Sequence, residues 1–385
     1  MAFLGNLRKL LSFINDGIEN PEIIKFLKRR GLKDGPVNSY EDFCRIKPLS
    51  KFELSQMQQQ NPPFAGLVEM EIISKIYISP GPIFNPKTAE FNHYRFHKAL
   101  SKAGFNKSDV VFNAFSYNMS PAGDMFDEAA RYLGAAVIPA GPTDSQKAGE
   151  IIAQTGATAF TGTRTFLFNI LNNLGENSRL KKAYLIAEKM TEEDRKVFSS
   201  EYGVQAYQGY GTAEVGLIAT ECPEKCMHPD MDIFLEVLEP GSFKPVASGE
   251  TGEAVITLLN GKLPFVRLAT GDLTIAENQE CGCGNDEGFI QGIFGRSDSS
   301  VKVKGVFVHY WQFQKFLEKN SITGKLVVET TENKDVLRMI TNTEREVDLK
   351  QDFYKKFGIK LENVEIDKNL KENAIIDNRD RLKQS

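Results

Sequence analysis

Short apolar runs alternate with stretches of helical periodicity between about residue 90 and residue 205. The segments 110–115, 135–139 and 157–161 have the length and composition of buried strands, whereas 123–133 and 146–154 repeat apolar side chains at helical spacing. Strands and helices that alternate in this way are typical of a largely parallel sheet covered by helices. The pattern therefore predicts an α/β fold for this region.

The two ends of the chain follow other patterns. Residues 1–60 are predicted to be helical with breaks at glycine and proline, and their start is predicted to be an amphipathic helix docked on the protein's own core. The β-branched run 72–78 is a predicted strand, as are 231–238 and 252–259. Residues 300–308 alternate as a β-hairpin does. A helix (310–320), two strands (324–329 and 336–342), a second helix (346–357) and a last strand (361–366) follow, and this order predicts a small α+β domain at the C-terminus.

Composition narrows the class of protein. With 385 residues, the chain is long enough for two domains. Its formal net charge of −4 argues against general nucleic-acid binding, which favours a basic surface. No apolar run approaches the roughly 20 residues that a transmembrane helix needs. Five unevenly spread cysteines are too few for a secreted disulfide framework, so we expect an intracellular, cytoplasmic protein. The oligomeric state is left open, with a homodimer as one alternative.

A glycine-rich stretch in the middle of the chain carries candidate chemistry. Residues 207–216 read Tyr-Gln-Gly-Tyr-Gly-Thr-Ala-Glu-Val-Gly. Its glycines would let backbone amides approach a ligand closely. Tyr210 offers a flat ring to a base, and Glu214 offers a carboxylate suited to Mg²⁺ on a polyphosphate. An ordinary turn is the alternative for a Gly-Tyr-Gly segment.

Two later segments make a ligand site the stronger hypothesis. They are Leu-Ala-Thr-Gly-Asp-Leu at 268–273 and Gly-Arg-Ser-Asp at 295–298. With 207–216 they resemble, in order, the Tyr-Gly-x-Ser/Thr-Glu, Thr-Gly-Asp-Leu and Gly-Arg-x-Asp motifs of the acyl-adenylate-forming enzymes, specifically the phenylacetate–CoA ligase branch. Residues 47–54 and 63–67 also resemble the N-terminal signature of that branch. The resemblance spans about residue 40 to the C-terminus.

The resemblance implies a set of nucleotide contacts. Asp272 would bind the ribose together with Arg296, Tyr210 would lie on the adenine, and Glu214 would hold Mg²⁺ in a catalytic role. Glu188 stands where the family has Gly-Ala-Glu-Pro, although Ile186 and Lys189 replace the glycine and the proline. The implied cofactor-binding residues of the large domain are Ser79, Gly81, Glu188, Tyr210, Gly211, Thr212, Asp272 and Arg296.

The same resemblance divides the chain at its hinge motif. Residues 1–296 would form the AMP-binding adenylation domain, and 297–385 would form a mobile C-terminal lid that turns at Asp298. Lys304 and Gly305 would line the path of the pantetheine. Counting back from Asp377 places Lys371 at the catalytic lysine of adenylation, although Leu370 replaces the expected glycine.

The predicted phosphate loop, residues 79–86, departs from the family pattern. A phosphate loop points backbone N–H groups at the anion. Pro80 and Pro82 have no N–H, so Ser79 and Gly81 are left as the obvious donors. Three alternatives stay open: phosphate is held in a modified way, some ATP chemistry is lost, or the segment is a rigid structural turn.

Cysteine and histidine form two short clusters within residues 222–283. Cys222, Cys226 and His228 lie about fifty residues before Cys281 and Cys283. Thiolate and imidazole groups in two such knuckles fit tetrahedral Zn²⁺ with bonds of ~2.0–2.3 Å. Some members of the resembled branch carry a cysteine, a histidine six residues later and a downstream Cys-x-Cys. We predict a structural zinc on Cys222, His228, Cys281 and Cys283, with Cys226 as the competing ligand and reduced free cysteines as the alternative.

Together these features predict an AMP-forming acid–CoA ligase that uses ATP, Mg²⁺ and coenzyme A. The resemblance implies an aromatic or medium-chain carboxylic acid as the substrate. One alternative is a non-catalytic, zinc-stabilised protein that binds a nucleotide or an acyl-CoA. Another is adenylation with transfer to an acceptor other than CoA. Its acyl-protein version is disfavoured because no cysteine follows Cys283.

Overall fold

The computed structural model describes residues 3–79, 82–174, 178–297, 300–303, 306–331, 334–344 and 346–378. Its helices are α1 (Leu7–Ser12), α2 (Pro21–Arg29), α3 (Tyr40–Phe43), α4 (Lys51–Gln60), α5 (Phe96–Lys102), α6 (Ala122–Tyr132), α7 (Ser145–Thr155), α8 (Arg164–Leu174), α9 (Glu192–Ser200), α10 (Tyr310–Asn320) and α11 (Glu346–Phe357). A π-helical turn covers Phe13–Gly17, and a 3₁₀ turn covers Met70–Ile72.

Strands make up most of the rest of the described chain. In the first half they are β1 (Phe3–Leu4), β2 (Leu49–Ser50), β3 (Ile73–Ser79), β4 (Ile83–Thr88), β5 (Val110–Asn113), β6 (Ala136–Pro139), β7 (Ala159–Gly162) and β8 (Lys182–Leu185). The following ones are β9 (Gln205–Thr212), β10 (Gly216–Glu221), β11 (Met227–Pro229), β12 (Ile233–Leu238), β13 (Thr251–Leu258), β14 (Leu268–Glu277) and β15 (Phe289–Arg296). The last ones are β16 (Ser300–Val303), β17 (Val306–His309), β18 (Gly324–Thr331), β19 (Lys334–Thr341), β20 (Asn363–Ile366) and β21 (Ala374–Asp377).

Local sequence explains where several helices begin. The side chain of Asn20 accepts a hydrogen bond from the Glu22 N–H, and Pro21 occupies the first position of α2, where a missing N–H costs nothing. The Ser50 hydroxyl accepts from the Glu53 N–H and so caps α4. The Ser50 cap fixes the start of α4 directly after the short strand β2.

One large sheet of thirteen strands organises the molecule, in the order β1-β12-β13-β14-β15-β11-β10-β9-β8-β7-β5-β6, with β2 beside β14. The strands from β5 to β9 are parallel. From β9 to β15 and on to β1, neighbouring strands are antiparallel. β9 therefore joins a parallel half, covered by helices, to an antiparallel half.

Apolar side chains form cores on both halves of this sheet and a further core in the C-terminal elements. The first helices pack on the antiparallel half, where Leu10, Phe13 and Ile14 are buried, so the predicted docking of the N-terminus is confirmed. Further core clusters surround the parallel half. The C-terminal elements have their own core, which includes Phe313 and Phe353. The α/β prediction and the small α+β unit are both confirmed, and α10 and α11 have the predicted bounds.

Two local predictions were wrong. The ordinary turn left open for Gly209-Tyr210-Gly211 is wrong, because these residues lie inside β9, and the turn of this hairpin is at 213–215. The predicted loop 79–86 is the tip of a β-hairpin, in which Ser79 pairs with Ile83 and β4 continues to Thr88. Glycine and proline in these segments are typical of breaks in regular structure. Pairing with neighbouring strands nevertheless makes most of both segments β-strand. Within the described residues, every helix is too short or too polar to cross a bilayer.

Candidate functional site

The predicted Mg²⁺ ligand Glu214 lies at the tip of the hairpin formed by β9 and β10, in which Thr212 pairs with Gly216. Gly216 has a φ of +73°, and a Cβ there would approach Tyr94 to 2.7 Å, so only glycine fits. At Gly209 a Cβ would lie 2.0 Å from the Tyr184 hydroxyl oxygen. The space beside the glycines of this stretch is therefore filled by the protein's own aromatic side chains. The sequence-based hypothesis had assigned that space to a ligand.

Glu214 is buried, with 1% of its side chain exposed, and its Oε1 lies 3.1 Å from the Nζ of Lys51. Its other carboxylate oxygen, Oε2, is buried and has no hydrogen-bond partner among the described residues. The Oγ1 of Thr212, two positions earlier, is in the same state. Buried polar atoms are nearly always satisfied, so both atoms are candidates for ligand contacts.

Asp272 and Arg296 face each other across neighbouring strands. The two residues are registered partners in β14 and β15, and Arg296 Nη1 lies 3.0 Å from Asp272 Oδ1. The Tyr210 hydroxyl donates to Asp272 Oδ2 at 2.8 Å. Burial raises the pKa of Tyr210 well above its usual value, and the nearby carboxylates of Asp272 and Glu214 raise it further. Residues from all three motifs thus act on one another at this point of the sheet.

The ring of Tyr210 is buried, with an exposed fraction of 6%. Gly211, beside it, leaves room for the ring of Phe96, which a Cβ would approach to 2.8 Å. The assignment of Tyr210 to adenine stacking therefore stays a prediction, and the observed role of its hydroxyl is to hold Asp272.

Glu188 lies at the carboxyl edge of the parallel strands, where α/β sheets usually bind ligands. Its Oε2 accepts a hydrogen bond from the Thr165 N–H at the start of α8, 2.8 Å away. Its carbonyl accepts from the side chain of Gln208 in β9, at 2.7 Å. Glu188 is thereby connected to the glycine-rich strand, although its contact with a nucleotide stays a prediction.

The hairpin predicted to hold phosphate packs directly on α4. Ser55 Oγ donates to the Pro82 carbonyl at 2.9 Å, and the side chain of Gln58 exchanges two hydrogen bonds of 2.8 Å with the Phe84 backbone. Ser79 Oγ accepts from the Asn85 side chain at 3.1 Å. Gly81 lies outside the described residues. Because Lys51 begins α4, this helix links the hairpin to Glu214.

Lys51 was missed by the sequence-based assignment, although it lies in the N-terminal segment 47–54 that carried part of the resemblance. Its position depends on Arg267, whose carbonyl accepts from the Leu49 N–H at 2.8 Å. The Arg267 side chain is buried and forms two hydrogen bonds, of 2.8 and 2.9 Å, with the carboxylate of Glu236. This buried pair ties the segment before Lys51 to the strand of Asp272.

In the C-terminal part, Lys371 is exposed and lies just before β21. Asn373 anchors the segment: its Oδ1 accepts from the Gly324 N–H, and its Nδ2 donates to Gln314. The Tyr310 hydroxyl donates to the Asn373 carbonyl at 3.1 Å. Lys304 and Gly305, as well as the predicted hinge residue Asp298, lie outside the described residues. No contact of Lys371 tests its predicted role.

The predicted metal ligands converge. One donor atom from each of Cys222, His228, Cys281 and Cys283 lies within 4.8 Å of the other three. The Nδ1 of His228 lies 2.8 Å from the Gly288 carbonyl, which leaves Nε2 for a metal; this atom lies 3.4 Å from the Cys283 sulfur. The donor set fits a tetrahedral metal site with an oriented histidine. The sulfur of Cys226 donates to the Glu224 carbonyl at 3.7 Å and also interacts with the thiols of Cys222 and Cys281, so Cys226 stays the competing ligand.

No model of a known protein family matches the sequence. A phenylacetate–coenzyme A ligase from Thermus thermophilus is 27% identical over 334 residues, covering 81% of this chain and 73% of the relative. A second, from Escherichia coli, is 27% identical over 302 residues, with 72% and 68% covered.

Solved structures share the fold. The structure of 2-hydroxyisobutyryl-CoA ligase in an open conformation, with 2-HIB-AMP and CoA, matches with a TM-score of 0.72 at 20% identity, and 96% of this chain and 90% of that chain are covered. The anthranilate CoA ligase AuaEII with anthranoyl-AMP has a TM-score of 0.51 at 16% identity, with 77% and 63% covered. The fold is that of the adenylate-forming CoA ligases. In sequence, the chain is similar to the two phenylacetate–coenzyme A ligases above, the branch whose motif order it resembles.

Proposed function

We propose that this protein is an AMP-forming acid–CoA ligase. The observation that carries the proposal is the contact among the three motifs: Tyr210 bonds to Asp272, Asp272 pairs with Arg296, and the charge of Glu214 acts on Tyr210. These residues are far apart in sequence, and a shared nucleotide explains why they meet at one place on the sheet. The relatives named as phenylacetate–coenzyme A ligases support the same activity.

In the first half-reaction, a carboxylate oxygen of the acid attacks the α-phosphorus of ATP, which forms acyl-AMP and releases pyrophosphate. Asp272 would accept hydrogen bonds from the ribose hydroxyls, and Arg296 would hold the same sugar. The protein contributes no covalent nucleophile, because positioning and charge stabilisation suffice for this chemistry. In the second half-reaction, the CoA thiol attacks the acyl carbon and AMP leaves.

Glu214 is the residue that would hold Mg²⁺, and the unpartnered Oε2 fits this role. Mg²⁺ would supply positive charge to the polyphosphate. The Lys51 ammonium is partly exposed and lies beside the Glu214 carboxylate. It would therefore pair either with this carboxylate or with a phosphate of the bound nucleotide. Lys371 would reach the carboxylate and phosphate oxygens from the C-terminal lid, residues 297–385, which would move against the adenylation domain, residues 1–296.

The four ligands Cys222, His228, Cys281 and Cys283 would hold a structural Zn²⁺. Four protein ligands leave no open coordination position, so this metal would take no part in the chemistry. β10 ends at Glu221, next to Cys222, and His228 lies in β11, between β10 and β15. The zinc would therefore join the far ends of the strands that carry the nucleotide contacts.

The deciding experiment is ATP–pyrophosphate exchange with a panel of aryl and medium-chain acids, followed by thioester formation with CoA. We expect exchange with an aromatic or medium-chain acid and thioester only when CoA is added. Nucleotide binding without exchange for any acid would favour the non-catalytic alternative. Exchange without thioester would favour transfer to another acceptor.

A further inference from the structure

Arg95 lies directly beneath the turn that carries Glu214. Its side chain is 13% exposed, and its Nη2 donates to the carbonyl oxygens of Val215, at 2.9 Å, and Leu217, at 2.8 Å. These carbonyls flank Gly216 and follow Glu214 in the chain. The strand register also shifts after Leu217. One guanidinium thus holds the backbone on both sides of Gly216, where the turn enters β10.

The guanidinium is itself held in place. Its Nε lies 3.2 Å from Asp230 Oδ1, and only 4% of the Asp230 side chain is exposed. The Asp230 N–H donates to the Ile218 carbonyl at 2.8 Å, so the carboxylate is fixed to the same strand. Lys98 shares this carboxylate at 3.0 Å, and among the described residues its ammonium bonds to Asp230 and Asp232 and not to the turn, which makes it a matched control.

The backbone that presents Arg95 adopts an unfavourable conformation. Arg95 has a φ of +64° and Asn92 a φ of +60°, both in the left-handed region that non-glycine residues rarely adopt. Between them, the Tyr94 carbonyl accepts from the Leu217 N–H at 3.0 Å. A strained backbone conformation persists only where the surrounding structure holds it in place, and such conformations are concentrated at functional sites. Segment 92–95 and the Glu214 turn are therefore fitted to each other.

We propose that Arg95 is a positioning residue that fixes the Glu214 carboxylate for a divalent cation bound to polyphosphate. The proposal rests on the proposed ligase function. Arg95 acts through the backbone of the turn, because its donors are aimed at carbonyls. Without it, two buried carbonyls lose their donor, the turn relaxes, and the carboxylate leaves the position in which it can coordinate the cation.

The test compares Arg95→Met, Arg95→Lys and Lys98→Met in ATP–pyrophosphate exchange over a range of Mg²⁺ concentrations. Arg95→Met should need about tenfold more Mg²⁺ for half-maximal rate, as is usual when a group that orients a metal ligand is lost. The rate at saturating Mg²⁺ should change much less. Arg95→Lys should recover part of the shift, since an ammonium can donate to the same carbonyls. Lys98→Met should match the wild type.

An unchanged Mg²⁺ requirement in Arg95→Met, or an equal shift in Lys98→Met, overturns the proposal. If Arg95→Met does not fold, Asp230→Asn, which weakens the hold on the guanidinium, should show a smaller shift in the same direction, and no shift overturns the proposal. If the wild type shows no exchange with any acid, the proposed function fails by itself. Calorimetry with Mg²⁺ and a non-hydrolysable ATP analogue then decides: weaker binding by Arg95→Met than by wild type supports positioning, and equal or absent binding overturns it.

Discussion

The Nζ of Lys51 lies 3.1 Å from the carboxylate of Glu214, so the first turn of an N-terminal helix supplies the counter-charge for a buried acid of the central hairpin. The lysine is 24% exposed and the glutamate only 1%. The carboxylate therefore depends on this partner more than the lysine does. The pair is a direct contact between the N-terminal segment and the proposed nucleotide site.

Lys51→Met should destabilise the protein, because it keeps the aliphatic length and leaves the Glu214 charge buried without compensation. We expect the free energy of unfolding to fall by about 1–3 kcal/mol, below the loss for a fully buried pair because Lys51 is partly solvated. Urea unfolding measures this change. The double variant Lys51→Met/Glu214→Gln should recover most of the loss, and additive losses would contradict the coupling.

Asp272→Ala should weaken ATP binding, because the residue both faces Arg296 and is the proposed ribose acceptor. Hydrogen bonds to a charged group contribute about 1.5–3 kcal/mol, so we expect a dissociation constant at least about tenfold higher by calorimetry. Tyr210→Phe is the control, since it keeps the ring and removes only the hydroxyl that holds Asp272. A larger loss in Tyr210→Phe than in Asp272→Ala would argue against the ribose assignment.

The metal prediction concerns stoichiometry. The purified protein should contain one zinc per chain, and Cys222→Ser or Cys281→Ser should lose it and unfold at a lower temperature, because bound metal stabilises the folded state. Elemental analysis and thermal unfolding measure both effects. Cys226→Ser should keep the zinc, since Cys226 is not among the four residues whose donor atoms all lie within 4.8 Å of one another. If Cys222→Ser kept the zinc and Cys226→Ser lost it, Cys226 and not Cys222 would be the fourth ligand.

Stability should fall as the pH drops from about 6.5 to about 4. Burial, assisted by Arg95 and Lys87, lowers the pKa of His93 from 6.5 to about 4, so in this window the unfolded chain binds a proton that the folded chain does not. The unfolding free energy then rises with pH, and the full effect is about 3 kcal/mol.

Urea unfolding at several pH values measures that dependence, and His93→Gln should flatten it. His97, whose pKa is also lowered by burial, acts in the same direction, so a shallow slope should remain. A slope unchanged by His93→Gln would show that other groups cause it.

Lys371→Ala should separate the two half-reactions. Loss of one donor to a developing phosphate charge typically costs about 10²–10³-fold, so we expect pyrophosphate exchange to fall by that factor. Thioester formation from supplied acyl-AMP and CoA should change little. Lys368→Ala is a matched control, because Lys368 pairs with Glu344 at 2.9 Å on the surface of the same C-terminal unit. Equal losses in both half-reactions would contradict the assignment.

Periodicity predicted the elements well where local preference and burial agree. α10 and α11 have the predicted bounds, and β5, β6 and β7 lie within a few residues of their predicted positions, although β6 is a partly exposed edge strand and not a buried one. Periodicity left a turn as an alternative for the glycines next to Tyr210 and did not place the glycine of 268–273 in a strand. Those glycines instead lie in strands that pack closely against Tyr184, Tyr94 and Arg296, and no local pattern encodes the side chain that will fill the space of a missing Cβ.

The sequence by itself determined the class of fold, the order of the three motifs and the four candidate metal ligands, because residue type and spacing are local properties. Only the tertiary structure decided that Lys51 meets Glu214, that Arg95 supports the same turn, and that Asp272 lies opposite Arg296. These contacts depend on which strands become neighbours and in which register they pair. That choice is made by the whole buried core, so it cannot be deduced from any single segment of the chain.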